Sequence, residues 1–190
     1  MKILIATNNK SKFETISLML KSFFNNAQIN DLSNYNDFEE IDEIGNNIEI
    51  AKAKAYNALK QVKDNYDIIL GIDDGIIING EQCVKVKEHL HDIIVGDKIE
   101  IGSKIYITRA YYLIKINEYE KSCYNKIPYI LRKKLNNLEI IGYPLNDVIS
   151  TIDSDKVLSD MNTNELNDYF LKYSKDDLKA LFEEEIKEKI

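Results

Sequence analysis

Ile68-Ile69-Leu70-Gly71-Ile72-Asp73-Asp74-Gly75-Ile76-Ile77-Ile78 is the stretch on which the reading of the fold turns. Its first five residues form an unbroken apolar run of strand length, as expected for a central strand covered on both faces. Asp73-Asp74-Gly75 interrupts the run and supports two readings. Asp-Gly between apolar runs is a short hairpin signal. Carboxylates at the end of a buried strand can also hold Mg²⁺, which takes oxygen ligands and bridges to substrate phosphates. One of them could equally serve as general base for a water.

Upstream of this stretch, Asn46 is placed to cap a helix with Ile48, Ala51, Ala55, Leu59 and Val62 on one face. Glu49, three residues after Asn46, completes a capping box or ligates a metal, and Lys54, with Lys52 nearby, is a candidate phosphate contact. Residues 2–6 read as a strand and Thr7-Asn8-Asn9 as a turn. A helix follows from Ser11, with Phe13, Ile16, Leu20 and Phe23 as its apolar stripe and Ser11 and Glu14 as a capping box. The strand-to-helix junction Thr7–Lys12 is a ready anion site, because free N–H groups and the helix dipole point out of it. Lys10 and Lys12 add cations there, and Asn9 an amide able to contact a phosphate or a base. A polar turn feeding a capped helix would look the same. A short strand is expected around 28–32 and an exposed acidic loop over 33–45.

Downstream, 83–87, 98–101 and 104–117 have β character, the last rich in Tyr and Ile, and 126–136 reads as a helix after Pro128. Two terminal helices are expected, 163–173 and 175–190, the second with Leu178, Phe182 and Ile186 inward. His89 and His91 would face apart on a helix and read as surface residues. Arg109, within the Tyr-rich strand, could face a ligand or solvent. Helices interleaved with strands of mixed type indicate an α/β fold with a mixed central sheet.

Composition narrows the function classes. At 190 residues and 44% hydrophobic the chain reads as one domain with a real core, and 30% charged residues exclude wholesale disorder. A net charge of −7 argues against a nucleic-acid binder, whose affinity comes from Lys and Arg on phosphates. Two cysteines cannot make a disulfide framework, and with two histidines they make a poor zinc inventory. No apolar run reaches the roughly 20 residues of a membrane helix. The expectation is a soluble cytoplasmic protein.

Taken in order, Thr7, Asn9 and Lys12, then Gly45, Glu49, Ala51, Lys54 and Ala55, then Asp73 and Gly75 resemble the inosine/xanthosine triphosphate pyrophosphatases, which act on non-standard purine NTPs. The resemblance holds through about residue 80 and fades beyond it. Arg109-Ala110 resembles the family's Arg-x-Ala strand, Gly142-Tyr143-Pro144 a shortened Gly-Tyr-Asp-Pro loop, and Ser159-Asp160-Met161 with Asn167 the approach to its Ser-His-Arg motif. The chain departs from the family at Ile50, where Asn is usual, and at Thr15, where Glu is usual. Phe170-Leu171-Lys172 stands in place of Ser-His-Arg, and the Tyr-Ser-Ala-Arg-Tyr segment after the central strand is absent.

The resemblance implies one elongated two-lobed α/β domain over 1–190, built on a long mixed sheet with flanking helices, the nucleotide lying in a cleft between the lobes. It implies a homodimer, with the Tyr-rich strand able to serve the interface, and the reaction NTP + H₂O → NMP + pyrophosphate with Mg²⁺. Glu49 and Asp73, with Asp74, would hold the metal; Asp73 or Asp74 would orient or deprotonate the attacking water. Lys12 and Lys54 would bind the triphosphate with Thr7, Asn9 and Gly75. Lys172 is the candidate on the base side, where Arg109 or Arg132 could also re-create a purine contact. Altered or relaxed base selection is expected. The alternatives are a catalytically impaired nucleotide-binding or regulatory homologue, and a partner-binding protein whose three motifs are only caps and turns.

Overall fold

The computed structural model of the chain describes residues 1–83, 85–136 and 144–188. Gly142 and Tyr143 of the loop segment named above lie outside them. The strands are β1 Lys2–Ala6, β2 Gln28–Asn30, β3 Ile68–Ile78, β4 Glu81–Cys83, β5 Lys104–Lys115, β6 Tyr119–Leu131 and β7 Ile149–Thr151. The helices are α1 Lys10–Phe23, α2 Asn47–Gln61, α3 Val86–Ile94, α4 Thr163–Leu181 and α5 Glu183–Lys187. The strands form a mixed sheet in the order β2-β1-β3-β5-β6-β7, with β4 paired to β3. β1 is parallel to both β2 and β3, whereas β3–β4 and β6–β7 are antiparallel. The fold class is therefore α/β with a mixed sheet, as the alternation of patterns indicates. Among the described residues, no helix is long and apolar enough to cross a membrane.

The chain divides into two compact units. One comprises 1–73, 109–125 and 174–190, the other 74–108 and 126–173. In the first, β1 leads through α1 to β2 on one side, and β2 returns through α2 to β3 on the other. Parallel crossovers are right-handed, so reversing direction puts α1 and α2 on opposite faces of the sheet. The α2 face carries Leu4, Ala6, Ile69, Ala110, Tyr112 and Ile114 from the strands and Ala51, Ala55 and Ala58 from the helix. The opposite face holds the alternate residues Ile3, Ile5, Ile68 and Leu70, all wholly buried. Phe24, at the end of α1, meets Phe182 edge-on with ring centroids 5.6 Å apart.

The second unit gathers β4, α3, β7 and the remaining parts of the long strands around Leu90, Ile93, Ile94, Ile105, Leu131 and Ile149. Lys134 closes the end of α3, donating to the carbonyls of Ile93 at 2.8 Å and Gly96 at 2.6 Å.

Several expected elements are corrected. β3 does not turn at Asp73-Asp74-Gly75 but runs straight through it. The hairpin comes later, at Asn79-Gly80, where φ values of 51° and 84° supply the two left-handed positions of a type I′ turn. Residues 98–101 are turns, and α3 begins at Val86, where strand was expected to Lys87. Of the helix expected over 126–136, residues 126–131 are the second half of β6 and 132–136 are irregular; Pro128 is tolerated because the β7 register begins one residue later, at Tyr129. The two terminal helices are instead α4, continuous through residue 174, and the short α5. Tyr111 and Tyr112 of the Tyr-rich strand are core residues of the chain itself.

Candidate active site

The site is set by how closely α2 can approach β3. Gly71 faces the helix, and a Cβ placed on it would lie 2.0 Å from the Ala51 carbonyl oxygen and 2.9 Å from the Ala55 backbone nitrogen. The small faces of Gly71, Ala51 and Ala55 therefore let strand and helix backbones meet. Two residues on, Asp73 points to the same face of the strand and is 4% exposed. The helix face turned toward it is Asn47, Ile50/Ala51, Lys54/Ala55 and Ala58, not the face through Ile48 and Leu59, which are 37% and 38% exposed.

Asp73 is held from two sides by that helix. Lys54 Nζ donates to its Oδ1 at 2.8 Å, and Asn47 Nδ2 to its Oδ2 at 2.6 Å. Asn47 and Lys54 lie two helical turns apart, which places both on one face. Lys54 also meets Glu43 Oε1 at 2.5 Å, so its ammonium bridges two carboxylates. Burial alone would lower the Lys54 pKa, but its hydrogen bonds to Asp73 and Glu43 outweigh it and raise it. Burial raises the Asp73 pKa, against the opposing hydrogen bonds of Lys54 and Asn47, and the charge of Glu43 adds to the rise. Two acids sharing one base carry a net charge of −1, so Lys54 and Asp73 both hold their protons more tightly.

The β1–α1 turn adjoins this cluster, since Ala6 pairs with Gly71 at the end of the β1–β3 ladder. Thr7 Oγ1 accepts from the Asn9 N–H at 3.1 Å, and Asn9 Oδ1 caps α1 by accepting from the Lys12 N–H at 3.0 Å. The cap is thus Asn9, not the expected Ser11 with Glu14, and Glu14 instead pairs with Lys10 at 3.8 Å. The expected acidic loop folds back along α2: Glu40 accepts from Asn8 Nδ2 at 3.1 Å, and the Glu39 backbone is held by Asn57 and Gln61. In open α/β sheets, the crevice where crossovers part beyond the strand ends is the usual ligand site.

The remaining candidates are placed as follows. Glu49 is exposed and completes the capping box, accepting from the Asn46 N–H at 2.8 Å while Asn46 Oδ1 accepts from the Glu49 N–H at 3.0 Å. Asp74 is half-buried and, by the strand's alternation, points to the face opposite Asp73, so the adjacent pair does not converge on one point. Gly75 is buried in β3, and Arg109 lies half-buried in β5. Lys172 is exposed on α4 and paired with Asp153 at 2.7 Å, while Phe170 is 8% exposed and belongs to the core. Arg132 donates to Ser150 and pairs with Asp155 at 3.0 Å, a structural clamp. His91 is exposed and His89 half-buried on α3. Sequence reasoning missed Asn47 and Glu43. Asn47 could have been found by continuing the Lys54 helix face two turns back; Glu43, in a loop, leaves no periodic signal.

Residues 3–80 match the Ham1 family. Over that segment the chain is similar to the family. The matched segment holds β1 to β3 and hence every residue of the cluster just described. Solved structures extend the likeness of the Ham1-like fold beyond it. A Ham1 protein of Staphylococcus aureus is 14% identical with a TM-score of 0.60, over 90% of this chain and 99% of its own. A Ham1 protein of Coxiella burnetii is 15% identical at 0.61, over 93% of each chain. A nucleoside-triphosphatase/dITP/XTP pyrophosphatase of Mycobacterium abscessus is 16% identical at 0.57, over 90% of this chain and 95% of its own. At these identities they speak for the fold. No curated protein matches in sequence.

Proposed function

We propose that this Ham1-like chain is a nucleoside triphosphate pyrophosphohydrolase, converting NTP and water to NMP and pyrophosphate. The observation that carries the proposal is the meeting of Asp73, Lys54 and Glu43 beyond the end of the β1–β3 ladder, beside the β1–α1 turn. The Mycobacterium abscessus protein of like fold adds support from its named activity. Phosphoryl transfer depends on positioning and charge neutralisation more than on covalent chemistry, and this cluster offers both.

Lys12 and Lys54 bind the non-bridging oxygens of the triphosphate, with the Asn9-capped helix start and Thr7 beside them. Asp73, fixed at both oxygens, orients the attacking water and accepts its proton. Asp74 and Gly75 complete the strand segment that carries it.

The donor set suits Mg²⁺. Asp73 and Glu43, both paired with Lys54, are hard oxygen donors of the kind Mg²⁺ takes. Among the described residues there is no group of three or more His, Cys, Asp or Glu able to hold a metal. Mg²⁺ takes one or two carboxylates and completes its shell with phosphates and water. Asp73 and Glu43 would hold it. Glu49 stays in the proposal as an outer ligand, because one of its oxygens is committed to the helix cap. When bound, the ion neutralises the triphosphate.

Base selection belongs to the same proposal. Phe170 is buried and Lys172 is paired with Asp153, so the family's Ser-His-Arg donors have no equivalent at these positions. Sites that hydrogen-bond a substrate group reject analogues by factors near 10⁴, whereas pocket shape gives about 10². Relaxed choice among bases is expected. A homodimer in the cytoplasm completes the proposal. The test is pyrophosphate release from ITP, XTP, dUTP, ATP and GTP with and without Mg²⁺, alongside thermal shift with each nucleotide. Mg²⁺-dependent release with less than a thousandfold preference among purines is expected. The loss of the base-side donors also favours a second reading, a binding homologue without turnover; stabilisation by nucleotide with no release would establish it.

A further inference from the structure

Asn46 and Asn47 are adjacent but do different work. Asn46 is exposed and caps α2, so the helix start needs nothing more from its neighbour. Asn47 is wholly buried, and its amide reaches 2.6 Å to a residue 26 positions along the chain. Burying an amide is costly unless it is paired, and this position borders Ile50 and Ala51, among which an apolar side chain would pack without that cost. The structure gives the amide a reason to be there at Asp73, whose Oδ2 it reaches.

Resting on the reading that Asp73 acts in the reaction, we infer that Asn47 is a positioning residue, fixing the plane of the Asp73 carboxylate from Oδ2 while Lys54 holds Oδ1. Two donors, one on each oxygen, remove the rotation of the carboxylate about its Cβ–Cγ bond. Lys54 alone would leave that rotation open, and Lys54 is also shared with Glu43. An amide does this without adding charge, so the charge available to the triphosphate and its counterion is unchanged. Asn47 touches neither in this scheme, and its effect on the reaction passes through Asp73.

The experiment compares the parent protein with Asn47→Leu, Asn47→Asp and Asn47→Ser, reading kcat and KM for pyrophosphate release together with the thermal midpoint of each. Leu removes the donor at similar volume; Asp removes it at the same shape; Ser restores a smaller donor. The expected result is a kcat lower by about 10- to 100-fold for Leu and Asp, the range a hydrogen bond to a charged group supplies. KM should stay within about threefold, because the lysines that bind substrate are untouched, and Ser should recover part of the lost kcat. Should Leu fail to fold, the isosteric Asp and the smaller Ser still carry the comparison. Parental kcat in Leu or Asp, or a loss that follows the thermal midpoint alone, would overturn the inference while leaving the proposed activity in place. No turnover in the parent protein would overturn the proposed activity, and this inference with it.

Discussion

Gly71→Ala is the smallest change that should separate helix α2 from strand β3. The added Cβ would sit 2.0 Å from the Ala51 carbonyl oxygen and 2.9 Å from both the Ala55 nitrogen and Cβ. Ordinary contacts to carbon lie near 3.5 Å, so the backbones must part by roughly 1 Å or more. Two of the three obstacles are backbone atoms, so trimming Ala55 to Gly in the same protein should not rescue it. Overpacking of this kind costs about 1–3 kcal/mol, or roughly 2–12 °C in Tm for a chain of this size. The effect on the site should be larger. Lys54 and Asn47 reach Asp73 at 2.8 and 2.6 Å, and a shift of about 1 Å takes both beyond hydrogen-bond range. Misplacement by that distance costs on the order of 10²-fold in rate. Tm by calorimetry and pyrophosphate release on the same preparation measure the two effects. Parental Tm and turnover together would show that the close approach of α2 does not position the site.

Other perturbations follow from the same geometry. Asp73→Asn should lower the rate by about 10²–10⁴-fold, as expected for loss of a general base, while the protein stays folded by circular dichroism. Because burial raises the Asp73 pKa, its stabilising contribution is present at low pH and is lost as pH rises through the raised value. The Tm of Asp73→Asn relative to the parent, both free of metal, should therefore rise between pH 4 and pH 7; a flat difference would refute the assignment. Lys54→Ala should be the more destabilising variant, by about 3 kcal/mol in denaturant unfolding, because it leaves a buried carboxylate without its cation. Lys12→Ala should weaken triphosphate binding more than monophosphate binding by calorimetric titration, and equal losses would misplace it. Asn46→Ala should cost about 1 kcal/mol through the helix cap alone, with kcat unchanged.

The parts legible from sequence are those that local chemistry dictates. The Asn46–Glu49 capping box depends on residues three apart, and the apolar run 68–72 has one sensible fate in an α/β chain. The Asp73-Asp74-Gly75 segment was legible as chemistry but ambiguous as structure. An Asp-Gly turn signal yields inside a strand that pairs with β1 before the signal and with β4 after it, and Asn79-Gly80 supplies a turn with both left-handed residues shortly afterwards. The helix face was misjudged for a related reason. Counting hydrophobicity turns Ile48 and Leu59 inward, whereas a glycine and an aspartate on the facing strand call for alanines, an amide and a lysine. The resemblance marks Ile50 as lacking an amide, and Asn47 brings one to the same helix face a turn earlier. Glu43 reaches Lys54 from a segment without periodicity, and Pro128 hid a strand because its neighbours across the sheet are not visible in the local pattern.

The most direct test is product analysis. The parent protein and Asp73→Asn are each incubated with ITP and with ATP, with and without Mg²⁺, and nucleoside monophosphate, pyrophosphate and inorganic phosphate are quantified. Equimolar monophosphate and pyrophosphate, formed by the parent only with Mg²⁺ and reduced at least a hundredfold in the variant, is the expected result. Release of inorganic phosphate instead, no release by the parent, or equal release by Asp73→Asn would contradict the assignment of this cluster as a pyrophosphohydrolase site.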